Sequence, residues 1–318
     1  MSTENITVVF PGQGSQKQGM GKDFYDTVPV ARATFEEASD ILGWNVPAMC
    51  FSDDERLNLT EFAQPCILTT EIAMLRAIQS LYGFNPDYFG GHSLGEYTAL
   101  VAAGAFPLGE ALRIAQERGR LMQQAVPLGE GSMAAVISDD LDPVLFTSIL
   151  AGLPLDVANI NSPHQIVISG KAAAIPEAER RLEQCISDNK AFRFVPLNVS
   201  APFHSRFMGT ITDTFKNLLI SASEHITPGQ ARRVTSNVSG LFHSDNRKEI
   251  IERLTKQLSG TVQWKKNMYV LAEKTDRIFE IGPGRPLRKF FKTIGVACSS
   301  ITTLSAARRI FEPVGTDQ

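Results

Sequence analysis

Long apolar runs are missing from this sequence of 318 residues. A membrane-spanning helix needs roughly 18 to 20 apolar residues, and the longest run, Ala99 to Leu108, falls well short of that. The opening MSTENITVVF lacks the charged n-region and cleavage site of a signal peptide, so a cytoplasmic address is expected and a membrane is not a partner. Cysteine is scarce. Cys50, Cys66, Cys185 and Cys298 stand far apart, with no CxxC and no Cys/His pair at ligand spacing, which excludes zinc ribbons and disulfide scaffolds and leaves reduced thiols. The five histidines, His92, His164, His204, His225 and His243, contain no HxxxH or HxH, so no metal is expected. Neither sign of charge dominates: 31 Lys+Arg against 34 Asp+Glu give −3, a field that does not attract nucleic acid or anionic lipid. Internal repeats and low-complexity segments are also absent.

What is present is an ordinary globular composition, 43% hydrophobic and 20% charged, at a length that suits about two domains of roughly 150 residues. Ile6 to Phe10 is a β-branched run closed by Pro11-Gly12-Gln13-Gly14, which predicts a buried strand entering a glycine turn. Helical patterns follow at Val30 to Leu42 and at Gln64 to Leu81, with Pro65 expected in the first turn of the second. Tyr88 to Ser93 predicts a strand ending in small residues, and Leu94 to Ala103 a helix. The middle changes rhythm: strands at Ser132 to Ser138, Leu155 to Ile160, Gln165 to Ser169 and Phe192 to Val199, helices at Asp142 to Ala151 and Ile175 to Ile186. That order is βαββαβ, the ferredoxin-like pattern. The expected class is therefore α/β. Residues 1–128 and 200–318 form a large subdomain with a parallel sheet, and 129–199 an inserted ferredoxin-like small subdomain. The tail from Phe311 is expected to fray.

Gly91-His92-Ser93-Leu94-Gly95 matches G-x-S-x-G at a strand-to-helix junction, the setting of a nucleophile elbow, although a turn serine capping a helix has the same letters. In the elbow reading the Leu94 N–H, at a helix N-terminus, donates to a developing oxyanion. A nucleophilic serine needs a base. His92 leaves the backbone in another direction, His164 sits in a turn, and His225 and His243 lie in polar stretches. His204 remains, after the expected strand Val195 to Ser200 and the turn Ala201-Pro202-Phe203, with a structural histidine as the alternative. Asp139, Asp140, Asp142, Asp156 and Asp188 lie between serine and histidine but look like surface residues, so a backbone or amide carbonyl is an alternative orienting group. Arg118 falls on the apolar stripe of a helix over Leu108 to Val126. A guanidinium there needs either an ionic partner or a ligand such as a carboxylate, which its fork matches. The turn at 10–16 fails the G-x-G-x-x-G and Walker patterns but offers the Gln13 N–H as a second oxyanion donor.

Taken as a set, FPGQGSQ (10–16), QP (64–65), GHSLGEY (91–97), ERGRLMQ (117–123), GSMAAVI (131–137), NSPHQIVISG (161–170), APFHS (201–205), SNVSG (236–240) and QLSGTVQW (257–264) resemble the malonyl-CoA:acyl carrier protein transacylases, over roughly residues 6–295. The resemblance implies an α/β-hydrolase-like large subdomain and a ferredoxin-like small one. It implies Ser93 as nucleophile, His204 as base and then acid, and a Gln257 backbone carbonyl holding the imidazole. Gln13 and Leu94 would supply the oxyanion N–H groups, Arg118 would clamp the malonyl carboxylate, and Gln64 and Phe203 would join it in binding substrate.

The implied reaction is a ping-pong exchange from malonyl-CoA, through a malonyl-serine ester, to the phosphopantetheine thiol of an acyl carrier protein, with no bound cofactor and no metal. An aromatic at Phe203 resembles malonyl-selective members, and APFHSRFM resembles the free-standing polyketide branch more than the fatty-acid enzyme. Lys265, Lys266, Arg285, Arg288, Lys289 and Lys292 either meet an acidic carrier protein or form a solvated face. A monomer is expected. The nearest alternative is an acyl hydrolase of the same fold that clears carrier proteins; it is expected to lack the arginine. A non-catalytic docking module would not need Ser93 and His204.

Overall fold

A run such as Ile6–Phe10, in which Val8, Val9 and Phe10 are all fully buried, has no solvent face and belongs in the middle of a sheet covered on both sides. The computed structural model describes residues 4–186, 192–199 and 201–312. These residues form strands β1 (Ile6–Phe10), β2 (Tyr88–Gly91), β3 (Gly131–Ile137), β4 (Leu155–Ser162), β5 (Gln165–Lys171), β6 (Arg193–Pro196), β7 (Arg277–Ile281) and β8 (Cys298–Ile301). They divide into two four-stranded sheets, ordered β2-β1-β7-β8 and β4-β5-β3-β6.

The first sheet is parallel throughout, with Phe10 opposite Gly91 at the C-terminal ends of β1 and β2. Helices cover it. The longest, Thr60–Tyr82, is buried almost all round from Ala63 to Ile78, as expected of a helix inside a large core rather than on its surface. The turns that follow β1 and β2 therefore leave one edge of the sheet side by side, the place where parallel α/β sheets hold ligands.

The second sheet is antiparallel. Counted within itself its strand order is fourth, first, third, second, the ferredoxin-like arrangement. Helices Pro143–Ile149, capped by the Asp142 side chain, and Ile175–Ile186 share a core with it built on Val136, Phe146, Ile166, Ile168 and Leu182. β4 joins the two layers. The Val262 N–H bonds the Ala158 carbonyl at 2.8 Å and the Ile160 N–H bonds the Val262 carbonyl at 2.9 Å. Asp156 on the same strand takes the Arg206 N–H at 2.8 Å and its guanidinium at 2.5 Å. Among the described residues no helix is long and apolar enough to cross a membrane.

Three expectations change. The helix placed at Gln64 begins at Thr60, so Pro65 lies in the second turn, not the first. Its ring forgoes one i to i−4 bond, and burial of the helix on nearly every side outweighs that loss. The last small-sheet strand stops at Pro196, which cannot donate to a ladder, and does not run to Val199 or Ser200; Ser200 lies outside the described residues. Of the tail, Phe311 is anchored, stacking on Tyr82 at 4.9 Å and meeting Phe84 edge-on at 5.2 Å, while residues 313–318 lie outside the described residues. The Tyr82 hydroxyl donates to Glu312 Oε1 at 2.8 Å.

The β2-to-helix turn tolerates no side chain at its two glycines. A Cβ on Gly91 would lie 2.0 Å from the Gly95 carbonyl oxygen, and one on Gly95 would lie 2.2 Å from the Phe10 carbonyl oxygen. Both obstacles are backbone. Gly95→Ala is expected to cost about 1–3 kcal/mol or more, seen as a lower denaturant midpoint at unchanged slope. An unmoved midpoint would show that the turn yields freely.

Candidate active site

The strand-to-helix turn forces Ser93 to φ 53°, ψ −103°, a conformation that L residues rarely adopt. It is held from both sides. The Ser93 N–H donates to Asn237 Oδ1 at 2.6 Å, and the Ser93 carbonyl accepts from Gln257 Nε2 at 3.0 Å. The helix Leu94–Ala102 starts at the next residue, so the Leu94 N–H belongs to the first turn, whose donors have no intrahelical acceptor and carry the positive end of the helix dipole. Ser93 Oγ lies 2.8 Å from His204 Nε2.

His204 also has positive φ, 57°, and its backbone N–H bonds the Leu258 carbonyl at 3.2 Å. Nδ1 donates to the Gln257 carbonyl at 2.7 Å. Gln257 ends the helix Arg247–Gln257, and the last four carbonyls of a helix lack intrahelical donors. A helix end therefore does what an aspartate does in other triads, presenting both an acceptor and the negative end of a dipole. With Nδ1 carrying the proton, Nε2 offers a lone pair to the serine hydroxyl. Of the candidate acids, Asp156 is engaged with Arg206 and Asp142 with its helix, Asp139 lies 3.8 Å from His164, Asp140 is exposed, and Asp188 lies outside the described residues. Burial, then the neighbouring Arg118 cation, hold His204 down to about 3, against the opposing bond to the Gln257 carbonyl. The imidazole is neutral at pH 7.

Arg118, on the helix Leu108–Gln124, is 1% exposed. Nη2 donates to Ser93 Oγ at 3.1 Å and Gln257 Oε1 at 2.9 Å, and Nη1 donates to Gln64 Oε1 at 2.9 Å. The guanidinium lies over the Tyr97 ring at 5.3 Å. Among the described residues its Nε has no acceptor and no carboxylate forms a salt bridge with it. Burial pulls its pKa down, and Tyr97 and Glu96 oppose that. The ion-pair alternative for this arginine thus finds only neutral partners, two amides and the Ser93 hydroxyl, a costly arrangement unless an anion arrives.

The other expected residues gather around these three. Gln64 Nε2 bonds Gln13 Oε1 at 3.3 Å, and Gln13 Nε2 bonds Thr60 Oγ1 at 3.1 Å. The His92 N–H donates to the Phe10 carbonyl at 3.1 Å, which keeps the Gln13 turn beside the Ser93 turn. Phe203 is 7% exposed and packs into the large core. His243 is a correction. It lies in a loop, as expected, but is buried, 3% exposed, and its Nε2 lies 2.8 Å from Glu96 Oε1. His92 bonds Asn161 Oδ1 at 2.7 Å through Nε2, away from the serine.

The structure adds Glu96, Asn237, His243 and Asn161 to the residues around this site. Glu96 and Asn237 stand inside GHSLGEY and SNVSG, and a buried acid or amide within a site motif was the available signal. For His243 no local signal existed.

A family model described as acyl transferase domain matches residues 7–282. A malonyl CoA-acyl carrier protein transacylase of Bacillus subtilis is 40% identical over 294 residues, 91% of this chain and 90% of that protein. The protein of the same name from Synechocystis is 38% identical over 281 residues, 88% and 90% of the two chains. Among solved structures, the transacylase of Clostridium perfringens superposes with a TM-score of 0.88 at 33% identity, covering 97% of this chain and 96% of that one. A malonyl-transacylase in complex with a type II PKS acyl-carrier protein gives 0.89 at 32% identity, covering 98% and 100%.

The lowered pKa of His204 has a direct test. Its ring signals in NMR are expected not to titrate between about pH 5 and 8, whereas an ordinary histidine titrates near 6.5. Arg118→Met removes the second cause of the depression and should move the value upward. A midpoint near 6.5 in the unmodified protein would contradict this electrostatic picture.

Proposed function

The chain belongs to the acyl transferase domain family, and from that premise we propose that it moves a malonyl group from malonyl-CoA to the phosphopantetheine thiol of an acyl carrier protein. Ser93 is the nucleophile. Its proton passes to His204 Nε2, 2.8 Å away, as Oγ attacks the thioester carbonyl. Negative charge collects on the carbonyl oxygen, where the Leu94 and Gln13 N–H groups receive it. The tetrahedral intermediate collapses, the C–S bond breaks, and the CoA sulfur takes the proton back from His204. In the second half the carrier thiol gives His204 its proton and attacks the malonyl-serine ester, and Ser93 leaves reprotonated. The Gln257 carbonyl keeps the imidazole in one tautomer and stabilises it while it is charged.

One observation carries the malonyl reading: a buried guanidinium without a carboxylate partner, 3.1 Å from the nucleophilic oxygen. Its fork suits the free carboxylate of a malonyl group. Gln64 holds one edge of it, and Phe203, next to His204 in the chain, is our assignment for the apolar side of the acyl site. An acyl hydrolase for uncharged groups would bear the cost of that buried cation with nothing to bind it, so the hydrolase reading is not favoured.

The division into 1–128 with 200–318 and 129–199 is our domain assignment. Exposed Lys266, Arg285, Arg288, Lys289 and Lys292, flanking the packed pair Trp264 and Phe291, are our assignment for the acidic carrier. A cytoplasmic setting is supported by four cysteines that remain free. APFHSRFM is what supports the polyketide branch.

With malonyl-CoA and a holo carrier protein, intact mass is expected to show malonyl on Ser93 and then on the carrier. Free malonate with an unloaded cognate carrier would favour hydrolysis. Ser93→Ala should abolish the acyl-enzyme, and Arg118→Ala should lower kcat/KM for malonyl-CoA roughly 10- to 100-fold while sparing acetyl-CoA. Undiminished malonyl turnover would remove Arg118 from the site.

A further inference from the structure

Glu96 is fully buried directly beneath the working groups, yet the proposed reaction gives it nothing to do. Its carboxylate faces N–H donors on both oxygens: His243 Nε2 on Oε1 at 2.8 Å, and the Asn237 N–H at 3.0 Å and Gln257 Nε2 at 2.6 Å on Oε2. That is the setting of an anion. Among the described residues its only ionic contact is His243, whose Nε2 lies on Oε1 and whose Nδ1 has no partner.

The nearest buried cation without an anion is Arg118, and one side chain lies between the two. An amide has fixed polarity. Because Glu96 can only accept, Gln257 must turn its NH2 toward Glu96, and its carbonyl oxygen must then face Arg118 Nη2, at 2.9 Å. The result is a buried ion pair bridged by a neutral dipole aligned with the field at both ends. A carboxylate placed directly on Arg118 would occupy the fork. One held an amide away balances part of the charge and leaves the donors free.

We infer that Glu96 is the remote counter-ion of Arg118, acting across the Gln257 amide, and that its charge sets how firmly the site grips the carboxylate of the acyl group. It is a positioning residue and touches no reacting atom. The inference rests on the proposed malonyl reading. Its consequence is a moderated clamp: a bare buried guanidinium would hold the substrate anion more tightly in ground state and transition state alike, which helps capture and hinders departure.

Glu96→Gln isolates the charge. Its Oε1 can still accept from Gln257 and Asn237, while its NH2 can face His243, whose ring accepts there by shifting its proton to Nδ1. The fold and the amide polarity are kept. The measurement is the second-order rate of Ser93 acylation by malonyl-CoA and by acetyl-CoA, followed by intact mass without carrier. The ratio of the two rates is independent of the fraction of protein that is folded. Two charges several ångströms apart at an effective dielectric near 20 interact strongly enough that Glu96→Gln is expected to raise the malonyl-to-acetyl ratio by about threefold or more. In an Arg118→Ala background the same substitution should leave the ratio unchanged. If Arg118→Ala collapses the ratio but Glu96→Gln leaves it unmoved or lowers it, Glu96 is a structural cap and this inference alone is overturned. If Arg118→Ala does not move the ratio, the malonyl clamp and the inference fall together.

Discussion

A helix must end with carbonyls that lack donors, and an amide must point its oxygen one way and its nitrogen the other. Gln257 obeys both constraints at once, and the site is arranged around the result. Its backbone oxygen fixes the tautomer of His204, its side-chain oxygen holds Arg118, and its side-chain nitrogen ties Glu96 to the carbonyl of Ser93. His204, Arg118 and Ser93 are thereby referenced to a single residue at a helix end. This geometry needs no aspartate, and the acid that is present sits beneath the amide, not behind the imidazole.

The strained backbone at Ser93 and His204 follows the same logic. Both residues have positive φ, and each is fixed by hydrogen bonds on its own main chain, to Asn237 and Gln257 in one case and to Leu258 in the other. Strain of about 1–3 kcal/mol per residue persists only where the surroundings over-determine it. Here the surroundings include the 257–258 helix end in both cases, so the two side chains that face each other at 2.8 Å are placed by one support.

Much of this was legible in the sequence, and what was not has a physical pattern. Strand runs such as Ile6–Phe10, the G-x-S-x-G junction and the arginine on an apolar stripe are local signals, set by residues near each other along the chain. The βαββαβ order of the small sheet was readable for the same reason. Element ends were less so: Pro65 suggested a helix start, but Thr60 begins it because tertiary burial overrides a local breaker. The network under the site was not legible. His243 meets Glu96 across 147 positions and Gln257 meets it across 161, and nothing near His243 distinguishes a buried imidazole from an exposed one. Polarity hides such residues, since a buried polar group looks like a surface one until its partner is known.

The interleaving of the two sheets bears on how the chain is made. β3 to β6 are contiguous, so the antiparallel sheet has all its strands once residue 196 has left the ribosome. The parallel sheet does not. β1 pairs with β2 on one side, but its other neighbour, β7, begins at residue 277, and the aromatic stack that closes the core waits for Phe311. Until residue 277 is reached, β1 therefore keeps one unpaired edge, the kind of edge that recruits other chains. The antiparallel sheet is thus the first of the two to have all its strands available. The parallel sheet, although its β1 precedes every strand of the other, is completed later.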